Sequence, residues 1–119
     1  MIKNNRRARG QAGENLAVDY LMKKGYRILQ RNYHYEHGEI DIVAEDREVL
    51  VFIVVKSFRS KKFGEPEDSI TKNKRERIRK TADGYIFENT IDDKICRFDV
   101  IAIDCENTLP VIRHIEDAF

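Results

Sequence analysis

A chain of 119 residues with 41% hydrophobic positions has enough apolar material for one real core and little room for a second, which excludes wholesale disorder. No apolar run reaches the length of a membrane span, and the basic start is not followed by the apolar stretch of a signal peptide. A soluble, cytoplasmic protein without a membrane partner is therefore expected. Lys and Arg number 22 against 21 Asp and Glu, a balance that hides segregation. From Lys3 to Arg9 there are four cations and no acid, and from Lys72 to Lys80 six cations and one acid, Glu76. Between Glu36 and Glu48 the balance reverses, with six carboxylates and a single arginine. Basic blocks around an acidic centre suit a protein that grips phosphate and holds a cation. Solvated helix faces and a frayed terminus would produce the same charge pattern.

In chain order, residues 1–9 read as a basic arm carrying Arg6, Arg7 and Arg9, and residues 10–119 as one domain. Gln11 to Lys24 place Leu16, Ala17, Tyr20 and Leu21 on one helical face, with Gly25 as a stop. A short strand follows from Tyr26 to Gln30, a second from Glu39 to Ala44 and a third from Val49 to Lys56. Glu45-Asp46-Arg47-Glu48 has the polarity of a hairpin turn between the last two. Gly64 and Pro66 mark a loop, and Ser69 is placed to cap a helix running to about Glu88. Ile70, Ile78, Ala82, Tyr85 and Ile86 keep helical spacing there, while the outer face is strongly basic. Arg97 to Ile103 and Val111 to Ile115 read as the closing strands. Cys96 and Cys105, too far apart for a CxxC motif, read as reduced structural thiols. The order predicts a mixed α/β domain with helices packed on the sheet.

Strand periodicity puts Leu50, Phe52, Val54 and Lys56 on one face, ending an apolar strand on a lysine. Glu39 and Asp41 share a face of the preceding strand, between Ile40 and Ile42. If the two strands form a hairpin, two acids and a lysine converge at a sheet edge, where Mg²⁺ or Mn²⁺ would find carboxylate oxygens and share a substrate phosphate. Such an ion acidifies a bound water and neutralises the phosphate under attack, and the lysine orients the water or steadies the developing anion. An ordinary cross-strand ion pair between Asp41 and Lys56 is the alternative, and spacing alone leaves both open.

A longer pattern bears on that choice. Gly13-Glu14, Ala17, Tyr20-Leu21, Gly25-Tyr26-Arg27-Ile28-Leu29 and Arg31-Asn32 lead into Gly38-Glu39-Ile40-Asp41-Ile42-Val43. Then come Val51 to Lys56, Phe63-Gly64, Lys74, Arg77-Ile78, Arg97-Phe98-Asp99-Val100 and the closing His114-Ile115-Glu116-Asp117-Ala118-Phe119. In nearly its whole length the chain resembles the YraN-like family of small bacterial proteins, which is similar to archaeal Holliday-junction resolvases and belongs to the restriction-endonuclease-like, PD-(D/E)xK, superfamily. The resemblance implies an αβββαβ core, a mixed central sheet flanked by helices, and metal-dependent hydrolysis of DNA, branched DNA included. Resolvases act as dimers, so it also raises a homodimer, for which no residue pattern marks an interface. It assigns Asp41 as the metal-binding aspartate, Lys56 as the signature lysine, Glu14 as a helix carboxylate assisting the metal, and the Val55 carbonyl as a further ligand.

This chain departs from the family pattern at one position. Where the family reads Phe-Val-Glu-Val-Lys, it reads Phe52-Ile53-Val54-Val55-Lys56. An isopropyl group stands where an anionic ligand belongs. Changes even to groups behind metal ligands cost about 10–100-fold in metal affinity or activity, and loss of a ligand costs at least that. A weakened or dead nuclease, a non-catalytic nucleic-acid-binding module, and a site in which Glu39 or Glu14 moves in as the substitute ligand all follow from the same residues. Lys72, Lys74, Arg75, Arg77, Arg79 and Lys80, with Arg59, Lys61 and Lys62 and the arm arginines, are the candidate contacts to a phosphate backbone, DNA being the expected partner. An exposed basic face without a partner is the alternative. His34-x-x-His37 suggests a transition metal, but no second ligand pair accompanies it, so both read as solvated loop histidines. His114 reads as a packing residue.

Overall fold

Val49 to Val55 are apolar without a break, the pattern of a strand covered on both faces, and they form the centre of the sheet. The computed structural model describes the backbone of residues 5–59 and 64–119, with side chains from residue 10 onward. Helix α1 (Asn5–Lys23) is followed by strands β1 (Arg27–Tyr35), β2 (Gly38–Asp46) and β3 (Val49–Phe58). A 3₁₀ turn at Pro66–Ser69 leads into α2 (Lys72–Glu88), and β4 (Ile95–Asp104) and β5 (Val111–Ile115) complete the chain. The five strands lie in sequence order. β1, β2 and β3 form an antiparallel meander, α2 crosses over to β4 parallel to β3, and β5 returns antiparallel. This is the restriction-endonuclease-like αβββαβ core, extended by a fifth strand.

The two helices divide the core between the faces of the sheet. Ala17 and Leu21 of α1 close over Ile42, Ala44, Val51, Ile53, Ile101 and Ile103. Ile78, Ala82 and Tyr85 of α2 close over Tyr33, Ile40, Val43, Leu50, Phe52 and Val100. β3 contributes to both, so neither helix can dock until it is in register. Among the described residues no helix is long and apolar enough to cross a membrane.

The structure revises several boundaries. α1 begins at Asn5, so the backbone of residues 5–9, read as the end of a basic arm, is helical. β1 continues to Tyr35 instead of stopping at Gln30, because Tyr33 and Tyr35 alternate toward α2 through residues of low strand propensity and meet β2 in a tight turn at Glu36 and His37. Ser69 does not cap α2. Its hydroxyl donates to the Pro66 carbonyl at 2.7 Å, closing the 3₁₀ turn, and Thr71 is the cap, accepting from the Lys74 amide at 3.2 Å. Ile40 and Ile42 do not share a face, since Ile40 packs under α2 and Ile42 under α1. The β1–β2 register itself shifts between Ile28 and Gln30, and Asn32, between the Arg31–Ile42 and Tyr33–Ile40 pairs, takes a left-handed φ of 52°, a conformation asparagine tolerates.

Close helix-to-sheet approach depends on Gly84 of α2, where a Cβ would collide with the ring of Tyr35. Gly84→Ala should therefore destabilise the protein by about 1–2 kcal/mol in denaturant unfolding, an overpacking cost of about 2–3 kcal/mol exceeding the roughly 1 kcal/mol that alanine gains over glycine in a helix.

Candidate functional site

The β2–β3 ladder runs from Asp46–Val49 to Ile42–Ile53 and stops there. Next in register Asp41 would face Val54, but the strands part, and the Asp41 carboxylate accepts from the Val55 amide at 2.7 Å in place of a backbone carbonyl. Clefts open on both sides of the parting. The one toward α1, about 610 Å³, is lined by Gln11, Glu14, Asn32, His34, Glu39, Asp41 and Val55 among others. The one toward α2, about 390 Å³, takes in His37, Glu39, Asp41, Lys56, Lys74 and Arg77 over an apolar floor that includes Val54 and Ile78. Asp41 and Glu39 border both.

Local sequence explains each placement. Gly38 opens β2 directly beneath α2, where a Cβ would run into Thr81 and come within 3.4 Å of the Arg77 side chain. Its bare backbone lets the helix lie close and brings Arg77 and Lys74 over the cleft. The Thr71 cap starts α2 one turn before them. On the other side the buried Glu14 accepts from Arg31 Nε at 3.2 Å and from Asn32 Nδ2 at 3.0 Å, so two neighbouring residues of β1 anchor the helix carboxylate. His34 Nε2 pairs with Glu39 Oε2 at 3.2 Å.

Electrostatics single out two groups. Burial pushes the Asp41 carboxyl up to about 6; the Val55 amide opposes this, and the charges of Glu39 and Glu14 add to it. Burial also lowers the Lys56 ammonium, Lys74 lowers it further, and Asp41 partly restores it.

Residues 13–103 match the description of uncharacterised protein family UPF0102. The chain belongs to that family. The YraN-like resemblance in its motifs is this same family. A UPF0102 protein of Trichlorobacter lovleyi is 42% identical over 121 residues, spanning 100% of this chain and 95% of the relative. One of Persephonella marina is 45% identical over 93% of this chain and 92% of the relative, and one of Thermodesulfovibrio yellowstonii 46% over 92% and 94%.

The donor set of this UPF0102 chain does not suit a divalent cation. Asp41 has one oxygen committed to Val55, Glu14 is held by Arg31 and Asn32, and the side chain of Val54 offers no oxygen. No group of three His, Cys, Asp or Glu side chains among the described residues is placed to hold a metal. Of the basic residues singled out in the sequence, Lys74 and Arg77 reach the cleft. Lys72 and Lys80 are exposed elsewhere on α2. Arg75 and Arg79 lie over the Phe119 ring at 5.6 and 5.5 Å, and Arg59 lines a separate cleft beside Ser57 and Cys105. Lys61, Lys62 and the side chains of Arg6, Arg7 and Arg9 lie outside the described residues. Cys96 and Cys105 are free thiols.

A second polar centre was not read from the sequence. Asp99, fully buried on β4, accepts two bonds from Arg97 at 2.9 Å, one from His114 Nε2 at 2.7 Å and one from the Asp117 amide at 3.0 Å. The Lys24 ammonium donates to His114 Nδ1 at 3.0 Å, which leaves Nε2 as the hydrogen-bearing nitrogen turned to Asp99. Burial raises the Asp99 carboxyl, but the bonds from His114, Arg97 and Asp117 outweigh it and hold it below its ordinary value. An acid inside the apolar run Phe98 to Ile103 was the available signal. His114, read as a packing residue, is buried and packs edge-on against Tyr20 and Tyr26 as well as bonding Asp99.

Two stability measurements separate these carboxylates. Asp99→Ala removes the buried acceptor that Arg97 and His114 share, while Arg97 keeps Asp46 and Tyr26, and should cost about 2–4 kcal/mol. Asp41 acts in the opposite sense, because its folded value of about 6 lies above the ordinary 3.8. The unfolded chain therefore loses that proton first, and stability falls as pH rises from about 4 to about 6, then levels off. Asp41→Asn keeps an acceptor for Val55 without the charge. It should stabilise the protein by about 1–3 kcal/mol at pH 8 and hardly at all at pH 4 in parallel unfolding curves.

Proposed function

We propose that this protein binds nucleic acid, with DNA as its partner, across the α2 side of the β2–β3 parting, on a nuclease-type fold whose hydrolytic site is disabled at Val54. The observation that carries the reading is the apolar Val54 floor beside Asp41 in a cleft walled by Lys56, Lys74 and Arg77. Cations over a sheet end suit a phosphate backbone, and a carboxylate missing beside Asp41 removes the ligand that Mg²⁺ or Mn²⁺ chemistry would need. The family resemblance adds the expectation of branched DNA and of a homodimer acting on paired strands.

A second reading has its own support. Glu39 adjoins Asp41 and borders both clefts, which supports a reading in which it moves in as the substitute for the missing acid of a metal-dependent endonuclease. In that case the protein itself cleaves when Mg²⁺ or Mn²⁺ is supplied, and Glu39→Gln abolishes the activity.

The two readings part in one experiment. The protein and its Val54→Glu variant are incubated with Mg²⁺ or Mn²⁺ and labelled linear, flap and four-way-junction DNAs, and binding is measured over a range of salt. We expect salt-sensitive binding by both and cleavage by the variant alone, lost again on Asp41→Ala or Lys56→Ala. Lys74→Ala and Arg77→Ala should each lower the slope of log affinity against log salt by about 1. Absence of salt-sensitive binding would refute the proposal, and cleavage by the unaltered chain would favour the endonuclease.

A further inference from the structure

The cleft toward α2 carries an unbalanced charge. Lys56, Lys74 and Arg77 face it, against the carboxylates of Glu39 and Asp41. Among the described residues, no salt bridge or side-chain hydrogen bond takes up any of the three cationic heads. The two acids are already engaged, Asp41 by the Val55 amide and Glu39 by His34. A glutamate at position 54 would make the acids equal in number to the cations, and valine leaves the cations in excess. Val54, Ile70 and Ile78 meanwhile give the cleft an apolar floor beneath an exposed cationic rim.

We propose that this cleft is a metal-free phosphate site, in which Lys56, Lys74 and Arg77 hold a phosphate of nucleic acid directly. The inference rests on the nucleic-acid reading above and deepens it. In an acid-bearing site a cation must stand between carboxylates and phosphate, since like charges repel across a few ångströms. Valine removes that need. The substitution thereby turns a cation-binding arrangement into an anion-binding one, and the neighbouring lysine becomes a ligand for the substrate. Arg77 supplies a planar fork suited to two phosphate oxygens, and the two lysines supply point charges. His37 borders the same cleft from the β1–β2 turn, within reach as a further donor.

The test titrates inorganic pyrophosphate into the whole chain in EDTA and follows the Val55 and Lys56 amides by NMR, with DNA binding measured alongside. We expect saturable shifts in the unaltered protein, weakened at least about tenfold by Lys56→Gln, by Arg77→Gln and by Val54→Glu, the last through one added charge a few ångströms away. Mg²⁺ should restore binding to Val54→Glu and leave the unaltered protein unchanged. Val54→Gln adds the same bulk without charge and should bind as the unaltered protein does, which separates charge from packing. Absence of saturable shifts, or equal affinity of Val54→Glu in EDTA, overturns the phosphate site. If salt-sensitive DNA binding survives that outcome, the nucleic-acid reading stands without it. Pyrophosphate binding with no DNA binding upholds the cleft as a phosphate site and refutes the nucleic-acid reading.

Discussion

The hydrogen bond from the Val55 amide to Asp41 fixes where the sheet of this molecule opens. A backbone donor in the middle of a sheet must find an acceptor, and here a side chain takes over from the ladder at the point where β2 leaves β3. The parting that results exposes both sides of the sheet at one spot. Helix α1 delivers Glu14 from one side and α2 delivers Lys74 and Arg77 from the other. Burying the carboxylate that holds the break is costly, as its raised proton affinity shows. A fold selected for stability alone would not keep an acid there.

Much of this was legible in the chain. The unbroken Val49 to Val55 run called for a strand covered twice, and a polar turn before it called for a hairpin. Together they placed Asp41 and Lys56 near one another without any structure. What escaped was the break in alternation at Asp41. Period-two reasoning holds Ile40 and Ile42 to one face, yet they pack in opposite cores on either side of the point where β2 leaves β3. The Asp99 centre escaped for another reason: Arg97 lies two residues away, but His114 and Asp117 come from β5 and the turn after it, and Lys24 joins only through His114. Only the three-dimensional arrangement brings them together.

The basic residues of α2 show why a charge count is a poor guide to a binding face. Six cations within nine residues suggest a uniform positive surface. Packing sorts them into different roles. Arg75 and Arg79 sit on the aromatic stack of Phe98 and Phe119, while Lys74 and Arg77, roughly 100–160° round the helix from them, stand over the cleft. Helical spacing, not net charge, determines which of them a phosphate could meet.

That aromatic stack has a consequence for how the chain reaches its final form. Residues 117 and 118 bond back to Asp99 and Phe98, and Phe119 closes the layer over α2. The meander of α1, β1, β2 and β3 is built from neighbours in sequence and can form while synthesis continues. The α2 side of the core also takes in Ile115, Ala118 and Phe119, which lie far along the chain from the strands they cover. Those contacts are the non-local ones, so closing that face carries the larger loop-closure cost.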